Sequence, residues 1–150
     1  MTSGLLDTAF KSIDKVTNEL TEVAQKSVKN NEGIITALNT ANLFSGKNAL
    51  DQSLDSIGGK YKPITVEIKK EKGQPYNRTT LRDTGDFYEG FFVGFKGTTW
   101  EVESEDSKRD KLVERYGKDI FGNTPKDEKT INDKHILPDL LEHILENVEI

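Results

Sequence analysis

The sequence predicts an α+β fold: an antiparallel sheet built on a central hairpin, packed by amphipathic helices from both ends of the chain. Three observations carry that reading. Phe91, Val93 and Phe95 alternate with Phe92, Gly94 and Lys96, and beyond Gly97-Thr98 the residues Trp100 and Val102 alternate with Thr99, Glu101 and Glu103. Period two on both sides of a glycine able to take positive φ is the signature of a hairpin. Near the N-terminus Leu6, Phe10, Ile13, Val16, Leu20 and Val23 recur at three- and four-residue steps. Leu137, Leu140, Leu141, Ile144, Leu145 and Val148 do the same near the C-terminus. The 150 residues fit one domain, with a helical part over 1–59 and a sheet-plus-helix part over 60–150.

In chain order, the first helix spans about Leu5 to Val28 and ends in Lys29-Asn30-Asn31-Glu32-Gly33, a basic last turn followed by residues tolerant of left-handed geometry. Ile34, Ile35, Leu38 and Ala41 begin a second apolar stripe. Leu50, Leu54 and Ile57 continue another after a break at Ser45-Gly46, and Gly58-Gly59 stops it. Ile64, Val66 and Ile68 alternate with Thr65, Glu67 and Lys69, which predicts a half-buried strand entered through Pro63. The run from Lys69 to Asn77 has charge, Gly and Pro without period, and reads as an exposed loop. Asp83 is the expected cap of a short helical turn at Phe87 and Tyr88, with Gly85 in a backbone role at its start. After the hairpin, Asp106 or Ser107 caps a helix through Leu112, Val113 and Tyr116, closed by Gly117. Ile120 to Asn123 form an apolar corner, and Thr124-Pro125 start another helix. Pro138 suits the first turn of the last helix. The expected core centre is Phe91, Val93 and Phe95 or their alternating partners, with Trp100 and Val102.

Composition narrows the function classes. With no cysteine, disulfides, zinc-thiolate sites and thiol nucleophiles are excluded. The net charge of −5 disfavours a general phosphate-binding surface and predicts no specific nucleic-acid binding, while leaving room for a local basic patch. No apolar run approaches the ~20 residues of a membrane-spanning helix, and no signal peptide stands at the N-terminus, so the expectation is a soluble chain made in the cytoplasm. Only 33% of residues are hydrophobic and 31% are charged. An apolar face covered by a partner reconciles that balance with two well-formed stripes at opposite chain ends. Phe10, Ile13, Leu20, Leu141 and Ile144 are the interface candidates on those stripes.

The residues that could carry chemistry are few. His135 and His143 are eight apart, too far for adjacent-turn metal ligands, and Pro138 stands between them. Arg82, Asp83 and Asp86 beside Gly85 could bind a cation or pair as acid and base. A capped, ion-paired turn is the plainer reading, since further oxygen ligands and a closing Glu are missing. Gly90, Gly94 and Gly97 match no phosphate-loop pattern. The aromatic group Phe87, Tyr88, Phe91, Phe92, Phe95 and Trp100 stands among acidic residues, which favours core packing or a protein interface over stacking on a nucleic acid. An open hairpin edge would also suit addition of a neighbour's strand. No cofactor, metal or catalytic set is expected.

The run Leu81-Arg82-Asp83-Thr84-Gly85-Asp86-Phe87-Tyr88, followed by a hairpin and then by Tyr116-Gly117 and Ile120-Phe121-Gly122, resembles the tail-completion and virion-morphogenesis proteins of tailed bacteriophages. In that family a Leu-x-x-Thr-Gly motif opens a short helix before the strands. The resemblance covers about residues 78 to 122. It implies a small α+β subunit without enzyme activity that forms a homo-oligomeric ring as a head–tail connector or tail-completion protein. Its partners would be other phage neck or tail proteins, in the virion and in the host cytoplasm during assembly. Two other readings stand beside it: a non-enzymatic regulatory module that binds another protein through the N-terminal helices, and a hydrolase using Asp83 and Asp86.

Overall fold

The computed structural model describes residues 3–148. Two helices open it, α1 (Ser3–Asn30) and α2 (Glu32–Phe44), separated at Asn31. A turn-rich stretch then leads to the short α3 (Leu54–Gly58), followed by α4 (Pro63–Glu71) and the single-turn α5 (Asp86–Glu89). The hairpin pairs β1 (Phe91–Lys96) with β2 (Thr99–Ser104), antiparallel, with Lys96 opposite Thr99 across the two-residue turn Gly97-Thr98. After it come α6 (Arg109–Tyr116), a 3-10 turn (Lys118–Ile120) and α7 (Pro125–Ile131). A π-helical stretch (Asn132–Ile136) runs from α7 into α8 (Leu137–Asn147). This is the α+β class that the sequence predicts.

The core forms where the alternating face of the hairpin meets the helices. Val93 and Val102 are opposite each other and both buried; Ile35 and Leu43 of α2, Leu54 of α3, Tyr116 of α6, and Ile120 close around them. Phe87 packs edge-to-face on Phe91 with centroids 5.0 Å apart, and Phe121 joins both rings, so Phe87 and Phe91 of the aromatic group are core, with Tyr88 half-buried against them. The expected apolar corner rests on buried Asn39. Its amide donates to the Ile120 carbonyl at 2.9 Å and its Oδ1 accepts from the Gly122 N–H at 2.7 Å. Thr124 caps α7 by accepting from the Asp127 N–H at 3.2 Å, with Pro125 in the first turn.

Five expectations are corrected. Residues 64–69 are not a strand but part of α4. Lys62 is extended, Pro63 takes the first turn where its missing N–H costs nothing, and the lysine- and glutamate-rich run that follows favours helix. Ile64 and Ile68, one turn apart, face solvent at 66% and 44% exposure, and the buried residue is Lys69. The exposed loop therefore begins only after α4, with Lys69 to Glu71 helical. Phe95 and Trp100 are not core centre. They pair one step from the turn, which α1 reaches only through Gln25 Nε2 donating to the Gly97 carbonyl at 3.2 Å; Phe95 is 40% exposed and Trp100 is half-buried at the margin of the core. Leu50 lies in a turn at 56% exposure, not on a helical stripe. Asp83 does not cap α5: its carboxylate pairs with Lys72 at 3.0 Å, and Thr84 Oγ1 accepts the Asp86 N–H at 3.3 Å. Gly85 does have the backbone role, with φ +96° immediately before α5.

The free edge of β1 is partly closed. Gly90 and Glu105 share a ladder bond, so by alternation Val93 turns its N–H and carbonyl away from β2. Glu32 accepts that N–H at 2.7 Å and Lys29 donates to that carbonyl at 3.0 Å, while the two side chains pair with each other at 2.7 Å. A charged clamp on the edge blocks strand addition at that position.

Candidate functional site

Two surfaces carry the residues singled out by sequence. The first is a helical pair. α1 and α8 pack antiparallel, as their cross-contacts run in opposite order: Ser12 to the Asn147 carbonyl, Glu19 Oε2 to His143 Nε2 at 2.9 Å, and Ser27 to Asp139. Val16 is buried in the seam from α1, and Leu140, His143 and Ile144 lie half-buried on the other side. At about 100° per residue, Leu6, Phe10 and Ile13 fall to one side of Val16, and Leu137, Leu141 and Leu145 fall to the side of Leu140 in the same rotational sense. In an antiparallel pair the same sense puts both rows on one face. That face is exposed: Leu6 62%, Phe10 62%, Ile13 46%, Leu137 47%, Leu141 49% and Leu145 81%. Leu5, Leu6 and Phe10 lie N-terminal to Ser12, whose hydroxyl donates to the Asn147 carbonyl.

Of the interface candidates, Phe10, Ile13 and Leu141 stand on this open face, whereas Leu20 and Ile144 are half-buried. The two terminal stripes thus cover each other along one line and leave a second line uncovered.

The second surface gathers the motif. Leu81, Arg82, Asp83 and Gly85 line a cavity of about 720 Å³ between α4, α6 and the segment before α5, and Thr84 stands exposed beside it. Its other walls bring together cations distant in sequence: Lys62, Lys69, Lys72, Lys108, Lys111 and Arg115. With Arg82 these are seven of the chain's 21 Lys and Arg residues against one lining carboxylate, Asp83, in a chain of net charge −5. Lys72 holds the Asp83 carboxyl below its usual range.

Lys69 is 7% exposed. Its ammonium donates to the Arg82 carbonyl at 3.0 Å and to Gln74 Oε1 at 3.3 Å, and lies 4.9 Å from the Tyr61 ring centroid. Buried Tyr116 and Phe87 and half-buried Leu81 and Leu112 form the apolar wall. Burial pushes the Tyr116 hydroxyl upward from its ordinary value. Sequence reasoning missed this cavity. Its only local signal was Lys69-Lys70-Glu71-Lys72, and the remaining cations converge only because α4, α6 and the Leu81–Gly85 turn line one space.

Of the two carboxylates Asp83 and Asp86, only Asp83 lines the cavity, and it pairs with Lys72 at 3.0 Å. Among the described residues no group of three or more His, Asp or Glu is placed to hold a metal ion, and no helix is long and apolar enough to cross a membrane. Compared with protein-family models, curated proteins and solved structures, the chain matches none.

Proposed function

We propose that this chain is a non-catalytic assembly subunit of a tailed-phage particle, a ring-forming connector or tail-completion protein at the neck or tail end. The observation that carries the assembly part is the uncovered face of the α1–α8 pair. Six large apolar side chains are 46% to 81% exposed there. They amount to on the order of 600 Å², somewhat under the ~800 Å² that one partner contributes to a standard interface. The occupant is a second copy of the chain. A subunit repeated around a ring gains its missing burial from identical neighbours, and such closed symmetric assembly is the ordinary fate of an apolar face of this size. The phage assignment rests on the resemblance of residues 81–88 and the elements that follow them.

Removing the coding sequence from the genome that carries it, and viewing the particles by electron microscopy, tests the reading. Unjoined heads and tails, restored by supplying the chain in trans, are expected. Intact infectious particles at normal yield would overturn it. The exposed first turns of α1 favour the second reading, a regulatory module docking through its N-terminal helices. That reading gains if the purified chain stays monomeric and holds one foreign protein through Leu6 and Phe10.

A further inference from the structure

We propose that the basic cavity beside the Leu81–Gly85 turn is a binding site for a small phosphate-bearing ligand with a planar or apolar body, of nucleotide size. It is independent of the assembly reading. The strongest ground is Lys69. A buried ammonium with no acid in direct contact is costly, and Lys69 forms no ion pair among the described residues: carbonyl and amide oxygens receive it, the Tyr61 ring lies over it, and Asp83, itself bound to Lys72, acts on it only from beyond contact distance. Two of its three donors are engaged there, leaving the third for an anion in the cavity.

The surrounding charges point the same way. Arg82, Lys62, Lys108 and Lys111 line the same space, and their side chains make no hydrogen bond or ion pair to another described residue. One carboxylate against seven cations leaves a local excess that a singly charged ligand does not use up, whereas a phosphate presents several acceptor oxygens to the Arg82 guanidinium and the lysines at once. One-signed charge in a concave space also concentrates anions from solution, even in a molecule that is acidic as a whole.

Size and wall chemistry define the rest of the ligand. About 720 Å³ lies inside the range of small-molecule sites, roughly 300–1,000 Å³, and exceeds what inorganic phosphate needs. Leu81, Leu112 and the rings of Phe87 and Tyr116 supply an apolar wall for an uncharged body. A nucleic-acid strand would call for cations tracking along a groove with open aromatic faces. Here Phe87 and Tyr116 are buried and the cations surround one space.

Titration calorimetry at low salt on the full chain tests the site with pyrophosphate, AMP and ATP as probes. ATP is expected to bind tightest and to raise the melting temperature, with affinity falling as salt rises. Arg82→Glu and Lys111→Glu, both at exposed positions, should each weaken ATP by at least about tenfold while leaving the ligand-free melting temperature unchanged. Three results would overturn the proposal: no binding of any probe at millimolar concentration, ATP affinity untouched by both substitutions, or a short oligonucleotide or acidic peptide preferred over ATP. Pyrophosphate binding as tightly as ATP would overturn the assignment of an apolar body.

Discussion

Glu32 shows how one side chain can fix the relation of helix to sheet. It accepts from the Val93 N–H and from Lys29, and the Lys29 hydrogen bond, ahead of the backbone one, holds its carboxyl below the ordinary value of 4.5. A carboxyl lowered in the folded state contributes stability above its unfolded pKa and loses it as pH falls through the folded one. Glu32→Gln should therefore cost about 1 kcal/mol near neutrality, with the gap to the parent closing as pH drops below 4.5. Melting curves across pH 3 to 7 check this, and a gap that stays constant contradicts it. Gly58 supplies a steric case. A Cβ there would meet the buried Tyr116 ring at 2.3 Å, so Gly58→Ala should destabilise by about 1–3 kcal/mol in denaturant titration. Neither contact was legible in sequence, because each joins residues far apart in the chain. What was legible is local: the Thr124 hydroxyl and Pro125 starting a helix, and Gly85 before α5.

At the scale of elements, period and punctuation served well where both agreed. The hairpin and both terminal helices carry strong periods bounded by Gly, Pro or polar runs, and they form as the pattern predicts. α4 shows where the pattern misleads. Over six residues Ile64, Val66 and Ile68 satisfy alternation as well as a one-turn repeat, and the side chain that this helix buries most deeply, Lys69, is one that hydrophobic reasoning assigns to solvent. The two readings separate experimentally. A core strand would lose about 2 kcal/mol or more on Ile64→Ser, whereas the exposed helical position should change by less than about 0.5 kcal/mol. Thr124→Ala tests the α7 cap in the same assay, with an expected loss of about 1 kcal/mol. The basic cavity belongs to this scale as well. Its cations span residues 62 to 115 and become a site only when α4, α6 and the Leu81–Gly85 turn meet.

For the whole molecule the deciding feature is what its core leaves uncovered. The sequence showed two terminal stripes and too little apolar residue to hide both behind an ordinary surface. It could not show that they pack antiparallel on each other while a second row on each stays open, since that depends on the rotation of α8 about its axis. The rotation has a visible cause in the π-helical turn at Asn132–Ile136, which offsets α8 from α7. Sedimentation velocity of the purified chain over a wide concentration range tests the assembly claim most directly. The parent should form a discrete oligomer, and Phe10→Ser with Ile13→Ser, or Leu141→Ser alone, should shift it to monomer without lowering the melting temperature of the core. A parent that sediments as a monomer at every concentration would contradict the account.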